Sequence, residues 1–169
     1  MQLVATRRVL LQLAGSALAV AALPVRGAAV SEAARQALVE SELVYITPLK
    51  RDGAESRCHA EVWFAYDGKD VFVVTASTAW RSRAIAQGLD RARLWVGEYG
   101  NWQKADGKYR QAPELVAFGS AVTDAGEQQR VLELLGDKYR LEWIVWGPRF
   151  KNGLADASRT MLRYSPVSA

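Results

Sequence analysis

The chain has 169 residues, with 22 basic and 18 acidic side chains, a formal charge of +4, one His and one Cys. Three of the basic residues (Arg7, Arg8, Arg26) and none of the acidic ones fall in the first 29 positions, which leaves 19 against 18 in the remainder. That balance offers no footing for nucleic-acid binding. The single Cys excludes an intrachain disulfide even in an oxidising compartment.

The chain opens Thr6-Arg7-Arg8-Val9-Leu10-Leu11, and an Ala/Leu-rich apolar run follows from Val9 to Leu23. At about 15 residues that run is short for a membrane span, which takes roughly 20. Pro24 stops it, and Gly27-Ala28-Ala29 offers small residues to a signal peptidase. Charged, apolar and small-residue segments in this order predict a twin-arginine export signal over residues 1–29. The expected product is a single domain, residues 30–169, that is periplasmic or secreted, with no stable membrane insertion after cleavage. The twin-arginine export machinery is then an expected partner. That route carries folded proteins, commonly those loaded with a cofactor in the cytoplasm.

Along the expected domain, Ser31 to Glu42 predicts a capped amphipathic helix. Val44 to Leu49 predicts a strand, and Asp52-Gly53 a hairpin turn. A long strand follows from Ser56 to Tyr66, then a second turn at Asp67-Gly68 and a strand over Val71 to Thr75. A helix is expected over Thr78 to Leu89, a strand over Ala92 to Tyr99, and a polar loop over Asn101 to Ala112. Glu114 to Thr123 predicts a strand. Asp124 caps a helix to about Tyr139, and Ser158 to Tyr164 is a last strand. The set predicts an α+β fold: a small six-stranded antiparallel barrel with a few inserted helices.

On the Ser56–Tyr66 strand, period-two alternation puts Cys58, Ala60, Val62, Phe64 and Tyr66 on the core face. Arg57, His59, Glu61 and Trp63 share the other face. Trp63 there either packs under a helix or partner, or meets a cofactor lying against the barrel. Cys58 and His59 point to opposite faces, so a closed zinc site is not available and no metal is expected. No nucleophile elbow surrounds Ser56, and no dinucleotide fingerprint or P-loop occurs. The carboxylates are scattered, so no glycosidase-like pair can be drawn.

One segment carries chemistry. The strand Val71 to Thr75 runs into Ala76-Ser77-Thr78, and a helix whose first turns bear Arg81 and Arg83 follows. Hydroxyls beside guanidinium groups suit a phosphate. The same residues also suit a plain helix cap with solvated arginines.

With Asp52-Gly53, Val62-Trp63-Phe64, Asp67-Gly68, Thr75, Arg81 and Gly119-Ser120-Ala121 in this order, the stretch Val44 to Thr123 resembles the pyridoxamine 5′-phosphate oxidase-like split barrels that bind flavins and deazaflavins. The resemblance spans about half of the chain. It implies a homodimer of six-stranded split barrels with two cofactor sites at the interface. Thr75, Ser77, Arg81 and Arg83 would hold the cofactor phosphate, Arg81 being the closer match to the family's basic residue. Arg57 would lie by the phosphate or ring system. Trp80 stands where flavin-binding members often carry a small or basic residue. The implied cofactor is FMN, with deazaflavin or haem as alternatives. The implied activity is an exported oxidoreductase acting on a small-molecule substrate, for which no general acid or base can be named. The competing reading is a non-catalytic split-barrel module for flavin, haem or another small ligand. Trp63, Trp143 and Trp146 exceed what one small barrel buries easily, which also favours a homodimer.

Overall fold

A computed structural model describes residues 30–167. The export signal expected over residues 1–29 lies outside the described residues. The elements are α1 (Glu32–Glu40), β1 (Leu43–Pro48), β2 (Ala60–Trp63), β3 (Ala65–Tyr66), β4 (Val71–Ala76), α2 (Trp80–Ala86), β5 (Arg91–Val96), a 3-10 turn (Lys108–Gln111), β6 (Glu114–Ala121), α3 (Ala125–Ala155) and β7 (Arg159–Pro166).

All pairings are antiparallel, in the order β2-β1-β5-β6-β7-β4-β3. The two edges, β2 and β3, are successive stretches of one extended segment parted only by Phe64. The sheet thus curls into a nearly closed α+β barrel. The strand expected over Ser56–Tyr66 becomes two short ones, giving seven strands where six were expected. The reason is that the chain leaves β1 and joins β4 within a few residues.

Phe64 sits at this split, fully buried, so its peptide groups need partners. One side chain supplies them. The Tyr139 hydroxyl accepts from Phe64 N–H at 2.9 Å and lies 3.1 Å from Phe64 C=O and 2.7 Å from Glu42 C=O. Its ring stacks on Trp63 at 4.3 Å between centroids. Trp63 therefore packs under a helix.

Alternation divides the apolar residues into two layers. Val44, Ile46, Phe64, Val71, Val73, Leu94, Val96, Leu115, Leu162 and Tyr164 fill the barrel, joined by Ala34 and Leu38 of α1. Phe72, Val74 and Met161 on the outer face pack against Val131, Leu132, Leu135 and Tyr139 of α3. On the barrel's opposite flank, Tyr45 and Trp95 are covered by Ala105, Tyr109 and Ala112 of the 97–113 loop.

The caps are local and follow the sequence. Ser31 Oγ accepts from Ala34 N–H at 3.1 Å, and Asp124 Oδ1 from Glu127 N–H at 2.7 Å. The helix expected to end near Tyr139 kinks at Arg140 (φ 30°, ψ −90°) and continues to Ala155. Gly119, in the Gly-x-Ala stretch, marks a close approach. A Cβ there would stand 2.7 Å from Ile85 Cδ1 and 3.0 Å from Tyr164 Cε1.

Next to the split, Lys138 Nζ lies 3.4 Å from the Phe64 ring centroid. Burial lowers its pKa to about 8, against the opposing pull of Glu42 and Glu98. Unfolded lysine titrates near 10.4. Between about pH 8 and 10 the unfolded chain holds a proton that the native chain has shed, so stability rises with pH. Above about pH 10, Tyr139 and Tyr164 act in the opposite sense. Burial raises both phenols, so the unfolded chain ionises first and stability falls. Urea midpoints at about pH 7, 9 and 11 are expected to peak at the middle value. Lys138→Met should flatten the rise. A midpoint that drops from pH 7 to 9 would refute this account.

Candidate functional site

Of the site residues expected from the sequence, Arg57, Ser77, Trp80 and Arg83 line two clefts, and Thr75 and Arg81 line neither. Arg57, Trp80 and Arg83 meet in one open cleft of about 590 Å³, together with Lys50, Ser56 and Cys58. Arg83 and Arg57 are exposed and Trp80 is half-buried. The Arg83 guanidinium carbon stands 5.5 Å from the Trp80 ring centroid, in cation–π range. Three cations line this cleft and no carboxylate does.

Arg83 also borders a smaller cleft of about 300 Å³ with Ser77, Ser82 and Thr160. Ser77 is committed to structure there: its hydroxyl donates to Ala157 C=O at 2.6 Å and lies 3.0 Å from Thr160 Oγ1. Neither Ser77 nor Thr78 caps α2. The cap position is Ala79, without a side-chain hydrogen bond, and Ser82 Oγ donates to Ala76 C=O at 3.1 Å. Thr75 is buried at 4% exposure, in register with Thr160 of β7, and lines neither cleft.

Arg81 and Arg83 are two residues apart on a helix, so they leave it on nearly opposite sides. Arg83 faces the clefts. Arg81 is half-buried, and its charge acts on the Tyr164 phenol inside the barrel. Its Nε is buried without a hydrogen-bond partner among the described residues.

Cys58, expected in the core, is half-buried and lines the larger cleft. The strand begins only at Ala60, so alternation does not extend to it. Lys50 was not singled out from the sequence. Its signal was the basic pair Lys50-Arg51 beside the Asp52-Gly53 turn, which carries these charges to the cleft rim.

His59 is structural. Its Nδ1 lies 2.7 Å from Thr47 Oγ1, and its ring is 5.3 Å from Trp102. Burial, then the Arg110 charge, hold the imidazole below its ordinary pKa, with Glu55 opposing. Glu55 itself is paired with Arg110 through two hydrogen bonds of 3.1 and 2.6 Å. Among the described residues no cluster of His, Cys, Asp and Glu could hold a metal ion, and no helix is long and apolar enough to cross a membrane.

No family model matches the sequence, and no curated protein matches it significantly. Solved structures do match. HutZ, a haem storage protein from Vibrio cholerae, aligns with a TM-score of 0.55 at 14% identity, over 84% of this chain and 93% of that one. The conserved hypothetical protein Rv2991 from Mycobacterium tuberculosis aligns at 0.53 and 13% identity, over 82% and 81%. A proposed pyridoxamine 5′-phosphate oxidase from Listeria innocua aligns at 0.50 and 12% identity, over 78% and 88%. With its nearly closed antiparallel barrel, the chain has the fold of the pyridoxamine 5′-phosphate oxidase-like split barrels.

Proposed function

We propose that this protein binds FMN in the cleft of Lys50, Arg57, Trp80 and Arg83, and works as an exported, homodimeric flavin-dependent oxidoreductase. The observation that carries the reading is three cations and an indole around one cleft with no carboxylate among them. A phosphate needs that excess of positive charge, and guanidinium groups meet it through charge-assisted hydrogen bonds. Arg81 leaves α2 on the other side, does not line this cleft and is not counted among its cations. The Trp80 indole offers an apolar face to a ring system.

FMN would supply the acceptance and return of a hydride. The protein's part is to neutralise the phosphate through Lys50, Arg57 and Arg83, and to orient the ring against Trp80. Haem is the alternative occupant, since the same cations suit two propionates; deazaflavin is a third. HutZ, of like fold, is described as a haem storage protein.

The test is the visible spectrum of protein purified from the exported fraction, followed by FMN titration. Arg57→Ala and Arg83→Ala are each expected to weaken FMN roughly tenfold to a hundredfold. The exposed Arg91 serves as control, and Arg91→Ala should change little. Arg81→Ala separates a donor to the ligand from a purely internal charge. Two chains per particle are expected by sedimentation at micromolar concentration. A Soret band in place of a flavin spectrum would turn the reading to haem. Equal FMN affinity in all four variants would remove the site.

A further inference from the structure

A second cleft, of about 410 Å³, lies elsewhere on the molecule and shares no lining residue with the cationic one. Three of its eight lining residues are aromatic, Trp63 of β2 and Trp146 and Phe150 of α3 beyond the kink, and Leu43, Val62 and Val74 are aliphatic. The two indoles form a corner, with centroids 6.1 Å apart and planes at 72°. Trp63 is held rigid by its stack on Tyr139, and Trp146 also touches Phe150 at 6.2 Å. Trp146 remains 36% exposed, so the corner opens to solvent.

Two charged residues line the cleft, and they are not equivalent. Glu61 is held away from Arg159 by neutral donors, each oxygen accepting one hydrogen bond: Oε1 from Asn101 Nδ2 at 2.9 Å, and Oε2 from Trp102 N–H at 3.1 Å, so the carboxylate keeps its charge. Arg159 has neither an ion pair nor a side-chain hydrogen bond among the described residues. Its position is nonetheless fixed. The aliphatic stem runs so close over Gly153 that a Cβ there would stand 2.6 Å from Arg159 Cδ. The guanidinium carbon stands 5.2 Å from the Phe150 ring centroid. A placed, half-buried guanidinium beside an aromatic corner has unused donors directed by packing, not by an acid.

We propose that this cleft binds a planar aromatic anion, its ring in the Trp63–Trp146 corner and its carboxylate on Arg159. Aromatic walls favour a flat ring through stacked and edge contacts. The free guanidinium selects an anion, and a planar carboxylate matches its fork. This site shares no lining residue with the flavin cleft, and it requires that the proposed homodimer leave the Trp63–Trp146 corner open.

The experiment is calorimetric titration of the full protein with 2-naphthoate and with its neutral isostere 2-naphthamide. Naphthoate is expected to bind one per chain, about tenfold tighter than the amide. Arg159→Gln should weaken naphthoate about tenfold and leave the amide unchanged. Trp146→Ala should weaken both. Arg83→Gln, in the other cleft, should weaken neither, while it does weaken FMN if the flavin reading holds. Equal affinity for acid and amide would overturn the proposal. So would loss of naphthoate with Arg83→Gln in place of Arg159→Gln, or no binding at millimolar concentration. Arg159→Gln alters a side chain outside the core and carries the test even if Trp146→Ala fails to fold.

Discussion

Tyr139→Phe is expected to lower the unfolding free energy by about 2–4 kcal/mol while leaving the denaturant slope unchanged. The ring and its stack on Trp63 are kept, so the loss isolates the hydroxyl. That oxygen is the partner of Phe64 N–H, with Phe64 C=O and Glu42 C=O within hydrogen-bond distance. Tyr139 is 4% exposed and Phe64 fully buried, so water does not replace it easily. Each buried polar group left unpaired costs about 1–3 kcal/mol. Faster hydrogen exchange should appear first at Phe64 and its neighbours in β2 and β3. Urea denaturation of the variant measures the loss. A loss below about 1 kcal/mol would mean that the barrel closes without this hydroxyl.

Tyr109→Ala should cost about 3–5 kcal/mol, the range for removing a buried large aromatic. Tyr109 is 3% exposed, stacks on Tyr45 at 4.7 Å and meets Trp95 edge-on at 5.5 Å. It is the wedge that holds the 97–113 loop against β1 and β5. Next to it, Arg110 covers Trp95 at 4.8 Å and pairs with Glu55. The Tyr45 hydroxyl donates to Gly100 C=O at 2.7 Å and accepts from Tyr99 N–H at 2.9 Å. Without Tyr109 these contacts should loosen together, and Tyr99 N–H should exchange faster. Thermal and urea melts measure the global part of the loss. An unchanged Tyr99 exchange rate would show that the loop is held from elsewhere.

Much of the strand plan was legible because its signals are local. The outward Trp63 and inward Val62 and Phe64 follow from alternation over a few residues. The same rule failed at Cys58, which lies before the strand begins. The second half of α3 was not legible. Leu141, Ile144 and Val145 are exposed, and beyond the kink Gly147, Phe150 and Gly153 are the buried residues. Such a helix shows no apolar stripe of the usual kind. The joint phosphate role expected of Arg81 and Arg83 came from their place at the start of α2 and from the family resemblance. The short α2 instead sends Arg81 toward Tyr164 and Arg83 toward Arg57 and Trp80.

The amino-acid sequence alone determined the succession of most elements along the chain, the helix caps at Ser31 and Asp124, and the turns in which Gly53 and Gly68 take φ of 83° and 92°. These depend on side-chain period, on one capping oxygen or on the freedom of a single glycine, all within a few residues. Only the tertiary structure decided how the barrel closes, which cations share a cleft and where the indoles form a corner. Tyr139 and Phe64 lie 75 positions apart, and the Trp63–Trp146 pair is likewise remote in sequence. No local period encodes such pairs. They follow from the burial of peptide groups that must find a partner, and from which faces the folded sheet leaves open.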